Sequence, residues 1–307
     1  MAPGAAARQR RDVVKDDATT ESLARQIFSH ELATWVRFDP LAREGRDPEG
    51  VHQLRVTSRR LRAELDVLAP VLGERSSKSL AKELRWIGSI LGRQRDLDVL
   101  YDLLTRLEHE ESPYDASVLS RLRRQRDTER RRVREALSSA RYQRLARDLA
   151  AWAVAPPLRR RARARASDTL RPGLLAGLSA LFYGVYAVGP TVTDETLHRL
   201  RIAIKRSRYR AEVAGPVLGP NADAVAKDLA RAQGVLGDLH DRVVARAFLN
   251  EWRASRWPVD AVASENDPVD VALGELAEDM AALRRAWRAP LARARRRSTA
   301  LYLDETP

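Results

Sequence analysis

Within VHQLRVTSRRLRAELDVL, which begins at Val51, the residues His52, Arg55, Arg59 and Arg62 recur at three- and four-residue spacing. A second stretch, LHRLRIAIKRSRYRAEVAG from Leu197, repeats the pattern. His198 aligns with His52, Arg201 with Arg55, Lys205 with Arg59, Arg206 with Arg60 and Arg208 with Arg62. A guanidinium offers a planar fork of donors that matches two phosphate oxygens at once, and an ammonium binds phosphate as a point charge. An imidazole adds a second donor when protonated. The chemistry of such a set is capture of an anion.

Helical geometry puts these side chains on one face. With His52 as zero and about 100° per residue, Arg55, Arg59 and Arg62 fall at about 300°, 340° and 280°. Leu54, Leu61, Leu65 and Leu68 fall between about 160° and 220°, on the opposite side. The second stretch sets His198, Arg201, Lys205 and Arg208 against Leu200, Ile204 and Ala211 in the same way. Like charges at helical spacing repel by a few tenths of a kcal/mol per pair, so a merely solvated face ordinarily mixes signs. No acidic residue lies inside the stripe from His52 to Arg62. A bound polyanion would neutralise it, with counterion release driving association.

A further matched pair lies downstream in each half. ELRWIGSILGRQRDLDVL from Glu83 aligns with DLARAQGVLGDLHDRVVA from Asp228, matching Leu84 with Leu229, Leu91 with Leu236, Gly92 with Gly237 and Asp96 with Asp241. Order is kept and the offset shifts by one residue between the two pairs, the mark of a duplicated unit. Apolar periodicity predicts four helices per half: Glu21 to Phe38, Pro48 to Leu68, Ser76 to Glu110 and Ala116 to Val154, then Leu174 to Val188, Asp194 to Ala214, Asn221 to Arg256 and Pro268 to Arg297. Asp39-Pro40, Pro70 with Gly73, and Ser112-Pro113 punctuate the first three. The expected fold class is all-α: two pseudo-symmetric four-helix units forming one helical bundle, residues 21–155 and 172–300, joined by a basic linker 156–171 and preceded by a disordered tail 1–20.

Composition agrees. The 307 residues are 44% hydrophobic and 32% charged, with 15 glycines and 15 prolines, a balance suited to long helices. Cysteine is absent, which excludes disulfide scaffolds, thiol nucleophiles and zinc–thiolate clusters. The start carries no apolar segment behind its basic residues, as a secretory signal would. The uncharged window from Pro172 to Thr193 is long enough to raise a membrane span as the alternative, but it holds four glycines and reads as a buried bundle helix, and no membrane partner is expected. Lys+Arg 55 against Asp+Glu 42 leaves a net charge of +13, and only Lys15, Lys78, Lys82, Lys205 and Lys227 are lysines. An anionic partner follows.

The two motif pairs, VHQLRVTSRRLR with LGRQRDLDVL and LHRLRIAIKRSRYR with LGDLHD, closely resemble the CHAD domain, the conserved-histidine α-helical domain, over about Glu21 to Arg297. The resemblance implies a helical bundle around a basic central channel or cleft that binds inorganic polyphosphate, in a cytoplasmic protein located at polyphosphate granules. Carried over residue by residue, the polyphosphate-binding set is His52, Arg55, Arg59, Arg60 and Arg62 with His198, Arg201, Lys205, Arg206, Arg208 and Tyr209. Arg95 and His240, which precede Asp96 and Asp241 in the same register, join it with less weight because they differ in kind. Some relatives carry a fused triphosphatase-like domain; no β-rich segment occurs here, so the expectation is a stand-alone binder with no catalytic residues, no metal and no cofactor.

Other readings of single residues stand beside this one. His52 and His198 could be interhelical hydrogen-bond partners, Asp96 and Asp241 partners of nearby arginines, and Gly92 and Gly237 points of close helix packing. Ser207 in place of Leu61 leaves the packing of the second motif helix open. The run from Arg159 to Arg165 reads as a solvated linker or as extra anion-binding surface. His30 and His109 have no counterparts, and the tryptophans read as core. Nucleic acid would bind weakly through the same charge, since phosphate contacts carry no sequence information and no stacking aromatics accompany the arginines. Histidine titration leads to the expectation that binding tightens as pH falls from about 8 to 6.

Overall fold

The computed structural model describes residues 18–45, 47–108, 116–186, 188, 192–256 and 267–303. The tail through residue 17, His109, Trp257 and the expected helix end at Glu110 lie outside them. The described residues form α1 (Thr20–Glu44), α2 (Pro48–Val67), α3 (Glu74–Arg106), α4 (Ala116–Ser138), α5 (Ala140–Val154), a 3-10 turn (Arg160–Arg163), α6 (Ala166–Tyr186), α7 (Asp194–Leu218), α8 (Pro220–Arg256), α9 (Pro268–Ala286) and α10 (Arg288–Leu303). Strands are absent among them; two isolated bridges, Thr19 with Arg165 and Leu72 with Leu158, are the sole β features. The all-α expectation holds.

Each half contributes five helices where four were expected, because the last segment of each breaks in two. Ser139 stops α4 and starts α5, its hydroxyl accepting from the Tyr142 amide at 3.2 Å as an N-cap. Trp287 divides α9 from α10 and is buried, its indole N–H donating to the Arg284 carbonyl at 2.9 Å.

Several boundaries also differ from expectation, among them the end of α10, which runs to Leu303 rather than Arg297. α1 continues through Pro40 and ends at Gly45, whose φ of 68° lies in the left-handed region. An internal proline costs about 3 kcal/mol of helix, and two contacts of Asp39, one within α1 and one to α5, help to offset it here. Asp39 accepts from Arg43 Nε at 2.8 Å and from the Tyr142 hydroxyl at 2.5 Å. α7 likewise runs through Pro216 to Gly219. α6 starts at Ala166 rather than Leu174, despite Pro172. The linker ahead of it is stapled by backbone bonds: Gly73 N–H to Pro157 O at 2.7 Å, Arg159 N–H to Val71 O at 2.8 Å and Ala166 N–H to Ala18 O at 2.9 Å. The arginine run thus has an ordered backbone around the buried Ala162, with its side chains outside.

Helix pairing is related but unequal in the two halves: α10 packs chiefly on α8, whereas α5, at the same place in the first half, packs chiefly on α1. α1 packs on α2 and α5, α2 on α3, and α3 on α4; α6 packs on α7 and α10, α7 on α8, and α8 on α9. The halves meet where α2 touches α7, α3 touches α8 and α1 touches α6. One apolar cluster runs through both, from Leu23 to Leu301, and a smaller one ties the ends of α3 and α4 to α8 and α9 around Leu104, Leu122, Leu249 and Leu276. Leu54, Leu61, Leu65 and Leu68 of α2 are all buried, each contributing roughly 1.5–3 kcal/mol. Trp35, Trp152, Trp252 and Trp287 are core, as expected, and Trp86 is half-buried beneath the Arg141 guanidinium at 4.2 Å. No helix among the described residues is long and apolar enough to cross a membrane; α6 instead buries Leu170, Leu174, Leu178 and Leu181.

Candidate functional site

Burial of the leucine stripe of α2 fixes the rotation of that helix, so its basic stripe must face elsewhere. It faces α7. Lys205 of α7 feels the charges of Arg59 and Arg62 of α2 as well as Arg201 and Arg206 of its own helix. Arg55 feels Arg59, Arg95 and, across the junction, Arg201. The two motifs, about 146 residues apart by their repeat offset, therefore converge on one cationic strip. Arg85 of α3, exposed and next to Arg62, extends it.

The α3 side of the strip has a shape of its own. Arg85, Gly88, Gly92 and Arg95 share one face at about 0°, 300°, 340° and 280°. The two glycines make room for α2. A Cβ at Gly88 would stand 3.1 Å from Ser58 Oγ, and one at Gly92 would stand 3.6 Å from Arg55 Nε. The glycine that packs tightly is therefore Gly88; Gly92 lies at ordinary contact distance, and Gly237 has nothing within 4 Å. The packing role expected for Gly92 and Gly237 is corrected accordingly. In the second half Ala230, Gln233 and His240 replace Arg85, Gly88 and Arg95, so that half is less cationic.

Burial first, and neighbouring charge second, move the ionisable groups. Burial, then Arg95, Arg59 and Arg55 push the His52 imidazolium below its ordinary value, with Glu49 opposing. Burial, then Arg201 and His198 do the same to His240, with Asp96 opposing. Burial and four cationic neighbours bring the Lys205 ammonium down to about 8. Burial, with Asp238 and Asp96 adding to it, raises the Asp241 carboxyl, while Arg201 and Arg55 work against the rise. Depressed histidines take up protons below about 6.5, so the expected pH window from 8 to 6 moves to lower pH.

Most of the expected site residues come together. His52, Arg55, Arg59, Arg95, Arg201, Lys205 and His240 are half-buried and mutually close, Arg62 and Arg206 are exposed at the margin, and the His198 ring lies 5.9 Å from that of His240. Arg95 and His240 thus lie beside the rest. Asp96 accepts from Arg55 Nη2 at 3.0 Å, as the partner reading anticipated. Arg60 is half-buried, about 80° around the helix from His52. Arg208 turns to its own helix, with Nε 3.5 Å from Glu212 and the guanidinium over the Tyr209 ring at 4.6 Å. Tyr209 is 3% exposed and lies inside the bundle. Ser207 is buried and donates to the Gly177 carbonyl at 3.2 Å, which resolves the packing of the second motif helix. Sequence reading missed Arg85, whose spacing to Arg95 carried the signal.

A CHAD domain family model matches residues 26–250. Two uncharacterized proteins of Mycobacterium tuberculosis are 33% identical to this chain over 216 residues, 66% of this chain and 40% of each relative. The chain thus spans about two fifths of the length of the curated relatives it matches. Among solved structures, the CHAD domain from the plant Ricinus communis has a TM-score of 0.68 at 28% identity, covering 91% of this chain and 94% of that one. PptA from Streptomyces chartreusis has a TM-score of 0.66 at 24% identity, covering 89% and 98%, and shares the fold.

Proposed function

The chain belongs to the CHAD domain family, and from that premise we propose that it binds inorganic polyphosphate along the strip where its two motif helices meet. The observation that carries this reading is the approach of Arg55, Arg59 and Arg62 to Arg201 and Lys205: cations from two distant stretches lie close enough that Arg201 bears on Arg55, and Arg59, Arg62 and Arg201 bear on Lys205. Such an arrangement is costly when empty and is relieved by a line of phosphates. Each contact releases condensed counterions, and a polymer touching both halves makes its second set of contacts intramolecularly. Long chains should therefore bind far more tightly than short ones. Polyphosphate has no bases to stack, and Tyr209, the aromatic residue of the motif, is buried.

The proposed role is capture without turnover, in a cytoplasmic protein associated with polyphosphate granules. Titration of long-chain polyphosphate against duplex DNA and RNA of equal phosphate content, at about 150 mM salt where charge attraction is screened beyond roughly 8 Å, tests the substrate class. Preference for polyphosphate supports the reading. Equal or better binding of nucleic acid makes the strip a general polyanion site. Phosphate release during the same incubation would overturn the non-catalytic role.

A further inference from the structure

We infer that Lys205 is a modification site, an amine that takes the acyl group from small acyl phosphates drawn into the cationic strip. It is the one amine of the stripe. Its repeat counterpart is Arg59, and the flanking cations Arg201, Arg206, Arg59 and Arg62 are guanidiniums, which such donors do not acylate under mild conditions. Lys205 is half-buried and makes no ion pair within 4.0 Å among the described residues, whereas Lys78 is held by Glu74 at 2.5 Å. The surrounding guanidiniums supply two things at once. They attract the donor's phosphate, and they disfavour the ammonium form of the amine beside it.

With the ammonium at about 8 rather than 10.5 while the strip is empty, roughly a quarter of Lys205 is neutral at pH 7.5 when a donor arrives, against about 0.1% of an ordinary lysine, and the donor's own phosphate takes back part of that gain. Intrinsic nucleophilicity falls with basicity; a Brønsted slope of about 0.4–0.5, as for thiols, returns roughly tenfold of that gain and leaves a preference of about tenfold or more. In the reaction the neutral Nζ attacks the carbonyl carbon of the acyl phosphate. The C–N bond forms and the C–O bond to phosphorus breaks. Phosphate leaves with the bonding pair, and the proton lost from nitrogen goes to it. The product amide carries no charge, so the strip loses one cation. The inference rests on the strip attracting phosphate groups and does not require polyphosphate as the natural ligand.

The whole protein incubated with acetyl phosphate, followed by peptide mass spectrometry, should show Lys205 acetylated about tenfold faster than Lys78, Lys82 and Lys227, with inorganic pyrophosphate slowing Lys205 alone. Arg59→Gln with Arg62→Gln should slow Lys205 while Lys82 keeps its rate, with circular dichroism and the melting temperature reporting that the fold is intact. Equal rates at all four lysines would overturn the inference. So would a preference that is as large with uncharged acetic anhydride and indifferent to pyrophosphate. Protection by pyrophosphate without protection by long-chain polyphosphate would remove the proposed function and leave Lys205 as the acylation site.

Discussion

Arg55 on α2 pairs with Asp96 on α3 at 3.0 Å, while the repeat-related Arg201 and Asp241 form no such pair. Asp96 is 66% exposed, so the pair is screened and contributes less than about 1 kcal/mol to the fold. Its larger effect is on the strip, where it neutralises one cation. Asp96→Asn should therefore tighten polyphosphate binding by about two- to fivefold, with circular dichroism unchanged; fluorescence anisotropy with labelled polymer reads this. Weaker binding would mean that Asp96 holds Arg55 in its working position.

Arg55→Gln combined with Arg201→Gln removes the two charges that oppose each other across the α2–α7 junction. Binding to long polyphosphate should weaken, and the slope of log affinity against log salt should flatten by about one per lost contact. Relief of the repulsion should keep the melting temperature of the free protein level or raise it. A folded double variant with unchanged slope would take these arginines out of the site.

The sequence made the strip legible because one helix must bury Leu54, Leu61 and Leu65, and that leaves the arginines only one direction. The repeat added that a second such strip exists. Neither says that the two face each other; that follows from α2 packing on α7, a contact between residues far apart in the chain. Tyr209 shows the limit. At about 20° on the wheel it belongs to the stripe, yet the stripe runs into the bundle at its C-terminal end and the ring is enclosed. Pro40 and Pro172 misled the boundary reading for the same reason: local propensity was outweighed by packing around Ala42 and Leu170.

Histidine titration sets a pH signature. His52 faces Glu49 on α2, Arg55 and Arg59 on the same helix, and Arg95 on α3; His240 faces His198 and Arg201 on α7 and Asp96 on α3. Both are depressed, so between their folded values and about 6.5 the unfolded chain binds more protons than the native one. The histidine contribution to the stability of the free protein is therefore full above about 6.5 and declines as pH falls below it. A bound polyanion favours every cationic form, so affinity should rise from pH 8 to 7 as Lys205 gains its proton and rise again below about 6.5 as the histidines gain theirs. His52→Gln with His240→Gln should flatten both the melting curve and the affinity profile below about 6.5 and leave the rise between pH 8 and 7. A rise in wild-type affinity that is complete by pH 7 would contradict the assignment.

A buried carboxylate ties α8 to α10. Asp228 is fully buried and meets Arg231 Nη1 at 2.7 Å, Arg293 Nε at 3.4 Å and Arg297 Nη1 at 3.0 Å. Its repeat counterpart Glu83 is paired with Arg141 of α5 at 2.6 Å and is more exposed. Removing Arg293 and Arg297 together leaves a buried charge under-compensated, at about 3 kcal/mol. Asp228→Asn keeps the shape and removes the charge, at about 2 kcal/mol, and Glu83→Gln should cost less than about 1 kcal/mol. Denaturant midpoints measure the order, and an equal loss for Asp228→Asn and Glu83→Gln would refute it.

Two glycines on different helices should respond in opposite ways to alanine. At Gly50 of α2 a Cβ would lie 2.4 Å from Ala42 N and 2.6 Å from Leu41 C, both backbone atoms of α1. Backbone cannot swing aside as a side chain does, so α1 and α2 must separate; Gly50→Ala should cost about 2–3 kcal/mol and disturb the strip by shifting α2. At Gly237 of α8 nothing lies within 4 Å of the added carbon, so Gly237→Ala gains helix propensity and should stabilise the protein by roughly 0.5–1 kcal/mol. Melting temperature separates the two, and polyphosphate affinity should fall only for Gly50→Ala. A destabilised Gly237→Ala would restore the close-packing role that its place in the duplicated LG motif first suggested.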